Sequence, residues 1–179
     1  MTTIPAVDPR YPIGRFVRPT SFTAESRKEA IAAIAGLPAA LRAAVHGLSD
    51  VRLDTPYRPE GWTVRQLAHH LADAHVNAYI RTRLALTEDH PTIKPYNQVR
   101  WAELPDAKKG PLAPSLDLLE ALHTRWVALL STLTPEQFAR PFHHPESGTL
   151  SLDILVAEYA WESNHHVAQI TELRRRSGW

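Results

Sequence analysis

The stretch that decides the fold is "TVRQLAHHLADAHVNAYIRTRLALTE", residues 63–88. Thr63 is followed three residues later by Gln66, which matches a capping box, a pair of side chains that satisfies the free amides at a helix start. Apolar residues then recur at intervals of three and four, at positions 64, 67, 71, 74 and 78. This spacing places them on one helix face. We therefore predict a long helix from Thr63 to about Glu88 that buries a narrow apolar stripe.

Three other segments share this helical spacing. Residues 23–48 are strongly helical but contain Gly36-Leu37-Pro38, and proline removes a backbone donor, so we expect a kink or two short helices there. Ser115 is the expected cap of a third helix, rich in leucine, that reaches Leu133. The last helix is expected from about Ser151 to Arg175, where Arg174, Arg175 and Arg176 complement the helix dipole.

The segments between these helices are rich in proline and lack a period. Residues 1–21 are predicted to form an arm that lies over a surface of the protein. Residues 134–148 are predicted to form a connector that ends in a turn. Residues 89–114 contain five prolines, and a loop of this length is usually functional or packed as a lid. With four helical segments, no convincing alternating strand and one long crossover, the sequence predicts an all-α fold. We expect a single domain over residues 1–179, an antiparallel four-helix bundle.

Composition excludes several classes of function. The 179 residues carry a net charge of +1, so nothing in the charge indicates binding to nucleic acid or to a membrane surface. The chain has no cysteine, which excludes disulfides, thiolate zinc sites and a catalytic thiol of its own. No apolar run approaches the length of a membrane span and no targeting segment is evident, so we expect a cytoplasmic protein.

The chain contains ten histidines, some of which could bind a metal, and a helical wheel indicates which of them face the bundle interior. On the second helix His70 lies about 60° from the centre of the apolar stripe, whereas His69 lies about 160° away. On the last helix His166 lies about 20° from the stripe centre, Glu162 about 60° and His165 about 120°. The bundle interior should therefore receive His70, Glu162 and His166, while His69 and His165 should face away from it, into solvent.

Glu162 and His166 are four residues apart, so both side chains can hold one ion, with His70 arriving from a facing helix. The alternative is a structural ion pair of Glu162 with Arg81, Arg125 or His70, because an unpaired carboxylate near an apolar stripe is costly. A di-iron site built on Glu162 and the histidine three residues later is disfavoured, since the second and third helices offer no further inward glutamates.

Several blocks of the sequence resemble one family. They are "YPIGRF" (11–16), "PEGWTVRQLAHHLADAH" (59–75), "IKPY" (93–96), "RWAELPD" (100–106), "LLEALHTRWVALLSTL" (118–133) and "HPESGTLSLDILVAEYAWESNHHVAQI" (144–170). On these blocks the chain resembles the DinB-like helical-bundle proteins, and among them the YfiT branch of metal-dependent hydrolases. The resemblance implies a four-helix bundle, a divalent ion (nickel or zinc) at one end of it, and a homodimer.

The metal triad of that family is three histidines, and His70 and His166 match two of them. Position 162 matches the third but is glutamate here. Glutamate is a competent ligand, and two histidines with one carboxylate suit catalytic zinc or iron, with manganese as a further candidate. The same change would also fit a site that has lost its metal, in which Glu162 pairs with a histidine.

Some members of the family act as thiol transferases that join bacillithiol, a low-molecular-weight thiol, to electrophiles. The resemblance therefore implies a metal-dependent thiol S-transferase or hydrolase that acts on a small molecule. We expect His75, Asn77, Arg81 and Gln169 to support the ligands, and the 89–114 loop to cover the site. The rival hypothesis is a non-catalytic, metal-free bundle that serves as a stress-response or small-molecule binding module.

Overall fold

The computed structural model describes residues 8–179. It contains eight helices and one hairpin within that range, in the following order: α1 Ala24–Val45, α2 Asp50–Leu53, α3 Val64–Thr87, α4 Gln98–Ala102, α5 Pro105–Lys109, α6 Ala113–Leu130, α7 Pro135–Phe138, β1 Pro141–His144, β2 Gly148–Ser151 and α8 Leu152–Ser177. The four long helices form the predicted bundle. Helix α1 packs on α6 and α8, and α3 packs on the same two helices, so α1 and α3 lie diagonally across the bundle.

The start of α3 follows the predicted chemistry. The backbone N–H of Gln66 donates to Thr63 Oγ1 at 3.1 Å, and the backbone N–H of Thr63 donates to Gln66 Oε1 at 3.0 Å. The predicted cap of the third helix is wrong: α6 begins at Ala113, with Leu112 in the cap position. Pro114 occupies the first turn, where its missing N–H costs nothing. Ser115 lies inside the helix.

Helix α1 runs through Pro38 as one element, so the expectation of two short helices is wrong. The carbonyl of Ile34 would normally accept from the N–H of residue 38, which proline lacks. The side chain of His123 from α6 donates to this carbonyl instead, at 2.6 Å. A neighbouring helix thus supplies the hydrogen bond that the sequence of α1 cannot.

A β-hairpin occupies most of the predicted 134–148 connector, and it is an element that the sequence analysis did not predict. Strands β1 and β2 pair antiparallel, with Pro141 opposite Ser151. Each strand buries one large apolar side chain, Phe142 and Leu150 respectively. Gly148 follows the turn with a φ of +75°, a conformation that glycine adopts without strain. The hairpin therefore packs on the bundle next to the start of α8.

Two segments cover the outside of the bundle. The first seven residues of the predicted arm lie outside the described residues, while residues 8–21 contain turns and no helix or strand. This part of the arm lies over α8, because the carbonyl of Arg10 accepts from Gln169 Nε2 at 3.1 Å. The 89–114 segment contains α4 and α5, both of which pack on α3. Within residues 8–179 no helix is long and apolar enough to cross a bilayer.

Candidate metal centre

The structure brings His70, Glu162 and His166 together, as the helical wheel predicted. Their potential ligand atoms all lie within 4.8 Å of one another. His70 Nε2 is 3.4 Å from Glu162 Oε1, and His166 Nε2 is 3.8 Å from the same oxygen. Ligands about 2.0–2.1 Å from a tetrahedral zinc ion are separated by roughly 3.3 Å. The cluster therefore has nearly the dimensions of a single-ion site, and metal binding by it stays a prediction.

Two packed helices position the three side chains. His70 lies two turns into α3, with the ring of Trp62 4.7 Å away on one side. Glu162 and His166 are one turn apart on α8, which packs against α3. The rings of His70 and His166 meet edge to face, with centroids 5.0 Å apart. The aromatic wall and the helix contact together restrict the rotation of both histidines.

The hydrogen bonds of Gln169 fix the protonation state of His166. The amide nitrogen of Gln169 donates to the carbonyl of Arg10, which only accepts, so Gln169 Oε1 must face His166 Nδ1 at 2.9 Å. That oxygen accepts, so His166 Nδ1 carries the proton, and burial lowers the pKa of His166 to about 4. At neutral pH the lone pair of His166 Nε2 consequently points at the cluster, which is the tautomer that ligates metals.

Glu162 presents an ionised oxygen to the same space. Burial alone would raise the pKa of this carboxyl, but the hydrogen bond with His70 and the charges of the neighbouring histidines lower it to about 2. Only 17% of the side chain is exposed. A carboxylate oxygen and the lone pair of His166 Nε2 thus face each other at 3.8 Å. Two acceptors in this arrangement are stabilised by a cation placed between them, and the donor set fits a divalent ion.

A cavity of about 820 Å³ opens over the cluster. Helices α3 and α8, the hairpin and residues 95–98 form its walls, so part of the 89–114 segment lies over the candidate site as expected. The polar and aromatic residues that line it include Trp62, His70, Arg81, Tyr96, Asn97, Gln98, His144, Glu146, Glu158, Tyr159, Trp161, Glu162, His165 and His166. This volume is within the range of small-molecule sites.

The four residues expected to support the ligands have different roles in the structure. Gln169 bonds His166 directly, as described above. His75 is fully buried and bonds His123 instead, at 3.0 Å. Asn77 donates to the carbonyl one turn back in its own helix. Arg81 donates to a tyrosine hydroxyl on the cavity wall. Of the three alternative partners expected for Glu162, His70 is in contact with it, whereas neither Arg81 nor Arg125 forms an ion pair with it.

The prediction that His69 and His165 face away from the interior into solvent is wrong, since both are buried, at 9% and 5% exposure. His69 Nε2–H donates to the carbonyl of Gly110 at 3.3 Å, and its Nδ1 accepts from the Ser115 hydroxyl at 2.8 Å. His165 stacks on Trp161 at 4.3 Å. The wheel considers only the faces that helices present to one another. It misses the segments that cover their outer faces.

Sequence reasoning also missed aromatic residues of the cavity, among them Tyr159, Trp62 and Tyr96. Tyr159 lies on the buried face of α8, and its hydroxyl accepts from Arg81. Trp62 precedes the capping box, and Tyr96 lies in the long loop. The one available signal was their place in the blocks 59–75, 93–96 and 144–170. Those blocks carried the family resemblance but gave no role to the aromatic rings.

Comparisons with known proteins identify the family of the chain. The sequence profile of the DinB superfamily matches residues 33–170. A protein of Geobacillus thermodenitrificans is 53% identical over 176 residues, which cover 97% of this chain and 98% of that protein. YfiT of Bacillus subtilis is 48% identical over 175 residues, with the same coverage. Both relatives carry a provisional name of metal-dependent hydrolase.

Two solved structures share the fold. YfiT, described as a probable metal-dependent hydrolase with an unusual four-helix bundle topology, superposes with a TM-score of 0.93 over 96% of this chain and 98% of its own. The four-helix bundle protein TT2238 has a TM-score of 0.57 at 21% identity, over 82% of this chain and 98% of its own, and supports the fold alone. The profile match and the identity over nearly the full length lead to one conclusion: the chain belongs to the DinB superfamily.

Proposed function

We propose that this protein is a metal-dependent enzyme that holds one divalent ion through His70, Glu162 and His166. The observation that carries the proposal is the pair of acceptors at the base of the cavity. The unprotonated Nε2 of His166 and the carboxylate of Glu162 lie 3.8 Å apart, with His70 completing the group. The names of the relatives support a metal-dependent hydrolase.

The bound ion would supply a Lewis acid that lowers the pKa of a water or thiol nucleophile. Three protein ligands leave positions open for that nucleophile and for the substrate. Zinc or nickel is the ion that the family resemblance favours, and the carboxylate of Glu162 extends the candidates to iron and manganese. The residues of the chain provide orientation: Gln169 holds the ring of His166, while Trp62 restricts His70.

The nucleophile distinguishes two reactions of the same site. In a hydrolase it is water, which the names of the relatives favour. In a thiol S-transferase it is a low-molecular-weight thiol such as bacillithiol, and the absence of cysteine means that the thiol would come from a co-substrate. Incubation of the metal-loaded protein with an activated ester or with a thiol and an alkyl electrophile separates them, by mass spectrometry of the products.

The rival hypothesis of a metal-free binding module also has a structural basis. His70 Nε2 is close enough to Glu162, at 3.4 Å, to form an ion pair when His70 is protonated. In that case Glu162 stabilises the fold and needs no metal. The two hypotheses differ in one measurable respect, because an ion that binds only the native state raises the melting temperature.

The test uses untagged protein, elemental analysis and thermal unfolding with zinc, nickel, manganese and iron(II). We expect about one equivalent of metal after loading, and a higher melting temperature at saturating ion. His166→Gln should abolish this increase. His144→Gln is the matched control, since this histidine lines the same cavity outside the cluster. Less than about a tenth of an equivalent after reloading, with no change in melting temperature, rejects the enzyme hypothesis in favour of the binding module.

A further inference from the structure

Arg81 is the single arginine or lysine among the described residues that line the cavity. Its Nη1 donates to the hydroxyl of Tyr159 at 3.4 Å, a long hydrogen bond. Its Nε is buried and has no hydrogen-bond partner within residues 8–179. A buried donor of a charged group costs free energy when it is unpaired. The guanidinium is therefore only partly satisfied by the chain itself.

The acidic residues of the cavity do not neutralise Arg81. No carboxylate oxygen of the described chain lies within 4.0 Å of its nitrogens. Glu162 contacts the two histidines of the candidate metal centre, and Glu146 is exposed at the turn of the hairpin. Burial raises the pKa of the Glu158 carboxyl, and among the described residues Glu158 makes no ion pair with Arg81. The positive charge of Arg81 is thus available to a ligand.

Two tyrosines add hydrogen-bond donors to the same wall. Burial raises the pKa values of Tyr159 and Tyr96, so both hydroxyls keep their protons. The oxygen of Tyr159 accepts from Arg81, which leaves the O–H of Tyr159 free to donate. A guanidinium beside neutral hydroxyl donors suits an anion, and the planar fork of arginine matches the oxygens of carboxylate and phosphate.

We propose that Arg81 binds an anionic group of the substrate, a carboxylate or phosphate, away from the reacting bond. The backbones of Arg81 and His70 are eleven residues apart on α3, about 16 Å along the helix axis. The Arg81 guanidinium, however, bonds Tyr159, whose ring packs on that of His75. Tyr159 lies one turn before Glu162 on α8. The cavity therefore accepts a small molecule that places its anionic group at Arg81 and its reacting bond at the candidate metal centre. The reacting end rests on the proposed function, whereas the anion site does not require a metal.

The experiment measures binding to the metal-free protein. Hexanoate is compared with its neutral analogue hexanamide, and hexyl phosphate with hexanol, so that the two anions are distinguished. Trp62 and Trp161 line the cavity and report binding by their fluorescence. Because a charge-assisted hydrogen bond is stronger than a neutral one, we expect one anion to bind at least about tenfold more tightly than its neutral analogue.

Variants assign this preference to one residue. Arg81→Gln should remove the preference, and Arg81→Lys should keep part of it, since lysine retains the charge but loses the fork. Arg83→Gln is the matched control: Arg83 lies two residues further on, is exposed, and stacks on the ring of Tyr79. Melting temperatures of all variants establish that they fold. Equal binding of anion and neutral analogue by the wild type, or an unchanged preference in folded Arg81→Gln, overturns the proposal.

The result is independent of the test for metal. A preference that depends on Arg81 in a protein that binds no metal supports the anion site and rejects the enzyme hypothesis. Metal binding by a protein that shows no preference for the anion supports the enzyme hypothesis and rejects the anion site.

Discussion

The Nδ1–H group of His123 donates a hydrogen bond to the carbonyl of Ile34, 2.6 Å away across the bundle. This carbonyl is the one that Pro38 leaves without a partner in its own helix. Because a carbonyl only accepts, the bond fixes the tautomer of His123, whose Nε2 must accept from His75 Nδ1–H at 3.0 Å. The proline in α1 thus determines the protonation of two buried histidines on α6 and α3.

The first prediction is a coupling between Pro38 and His123. His123→Phe should lower the free energy of unfolding by about 2 to 3 kcal/mol, because the Ile34 carbonyl and the N–H of His75 both lose a partner. In a Pro38→Ala background the loss should be smaller by about 1 kcal/mol, since the new N–H of residue 38 can bond the carbonyl. Urea unfolding of the two single variants and the double variant measures the coupling.

The control for this cycle is His46→Phe, which alters an exposed histidine beyond the end of α1. It should change the free energy of unfolding by less than about 0.5 kcal/mol in either background. Equal costs of His123→Phe with and without Pro38 contradict the assignment of the hydrogen bond.

The second prediction concerns stability in acid. Burial lowers the pKa of His75 to about 3 and that of His123 to about 4, below the 6.5 of an unfolded histidine. As the pH falls below 6.5, the unfolded chain binds protons that the folded chain does not. The two neutral histidines therefore contribute their full stabilisation above pH 6.5. This contribution decreases as the pH falls from 6.5 toward their folded pKa values. Between pH 6 and 4.5 we expect a loss of about 1 kcal/mol per pH unit for each histidine.

Urea unfolding at a series of pH values, with a chelator present, measures this slope. His123→Phe should reduce it, since one titrating histidine is removed. The carboxyl of Glu162 acts in a lower window: its pKa is lowered to about 2, so its contribution is present above about pH 4.5 and lost below it. A free energy of unfolding that stays constant from pH 7 to 4.5 shows that the two histidines are not buried as neutral rings.

The third prediction tests Gln169 as the residue that orients a ligand. Gln169→Leu removes the acceptor that holds the proton on His166 Nδ1, so Nε2 is no longer kept free for the ion. Metal affinity should fall by about 10-fold to 100-fold, the usual effect of removing such a partner. Competition with a chelator of known affinity measures it. Thr171→Val is the control: it changes an exposed position of the same helix and should bind metal as tightly as the wild type does. Wild-type metal affinity in Gln169→Leu would show that Gln169 does not orient His166.

The features that the sequence predicted depend on short-range chemistry. The capping box of α3 involves residues three apart, and the stacking of Glu162 on His166 follows from the pitch of one helix. His70 joined them because α3 and α8 each turn their apolar stripe toward the other, so the wheel placed its side chain correctly. Local periodicity therefore sufficed for the bundle and for the candidate site.

The features that it missed depend on distant segments. His165 is buried by the arm, which lies more than 140 residues earlier in the chain, and His69 by residues 110–115. Pro38 suggested a break, but His123 on another helix supplies the missing hydrogen bond. The hairpin has four-residue strands, which are too short for an alternating pattern to stand out. Patterns over a few neighbouring residues therefore do not predict these contacts.

The last prediction concerns the glutamate that replaces a histidine of the family triad. Glu162→His should retain zinc and nickel binding, because imidazole suits both ions. The same change should weaken manganese and iron(II) binding by about 10-fold or more, since manganese favours carboxylate oxygen and iron(II) is typically held by two histidines and one carboxylate. Glu162→Gln should weaken all four, because it replaces the negatively charged ligand with a neutral amide. Isothermal titration with each ion provides the affinities.

Glu158→Gln is the matched control, because Glu158 lies one turn earlier on α8 and lines the same cavity outside the cluster. It should leave the order of metal affinities unchanged. If Glu162→His binds manganese as well as the wild type does, the carboxylate is not a ligand. If neither Glu162 variant alters metal binding but both lower the melting temperature, then Glu162 serves the fold through its contact with His70. The order of affinities among the four ions therefore distinguishes the two roles of Glu162. Substitution of a metal ligand changes this order, whereas substitution of a purely structural residue leaves it unchanged.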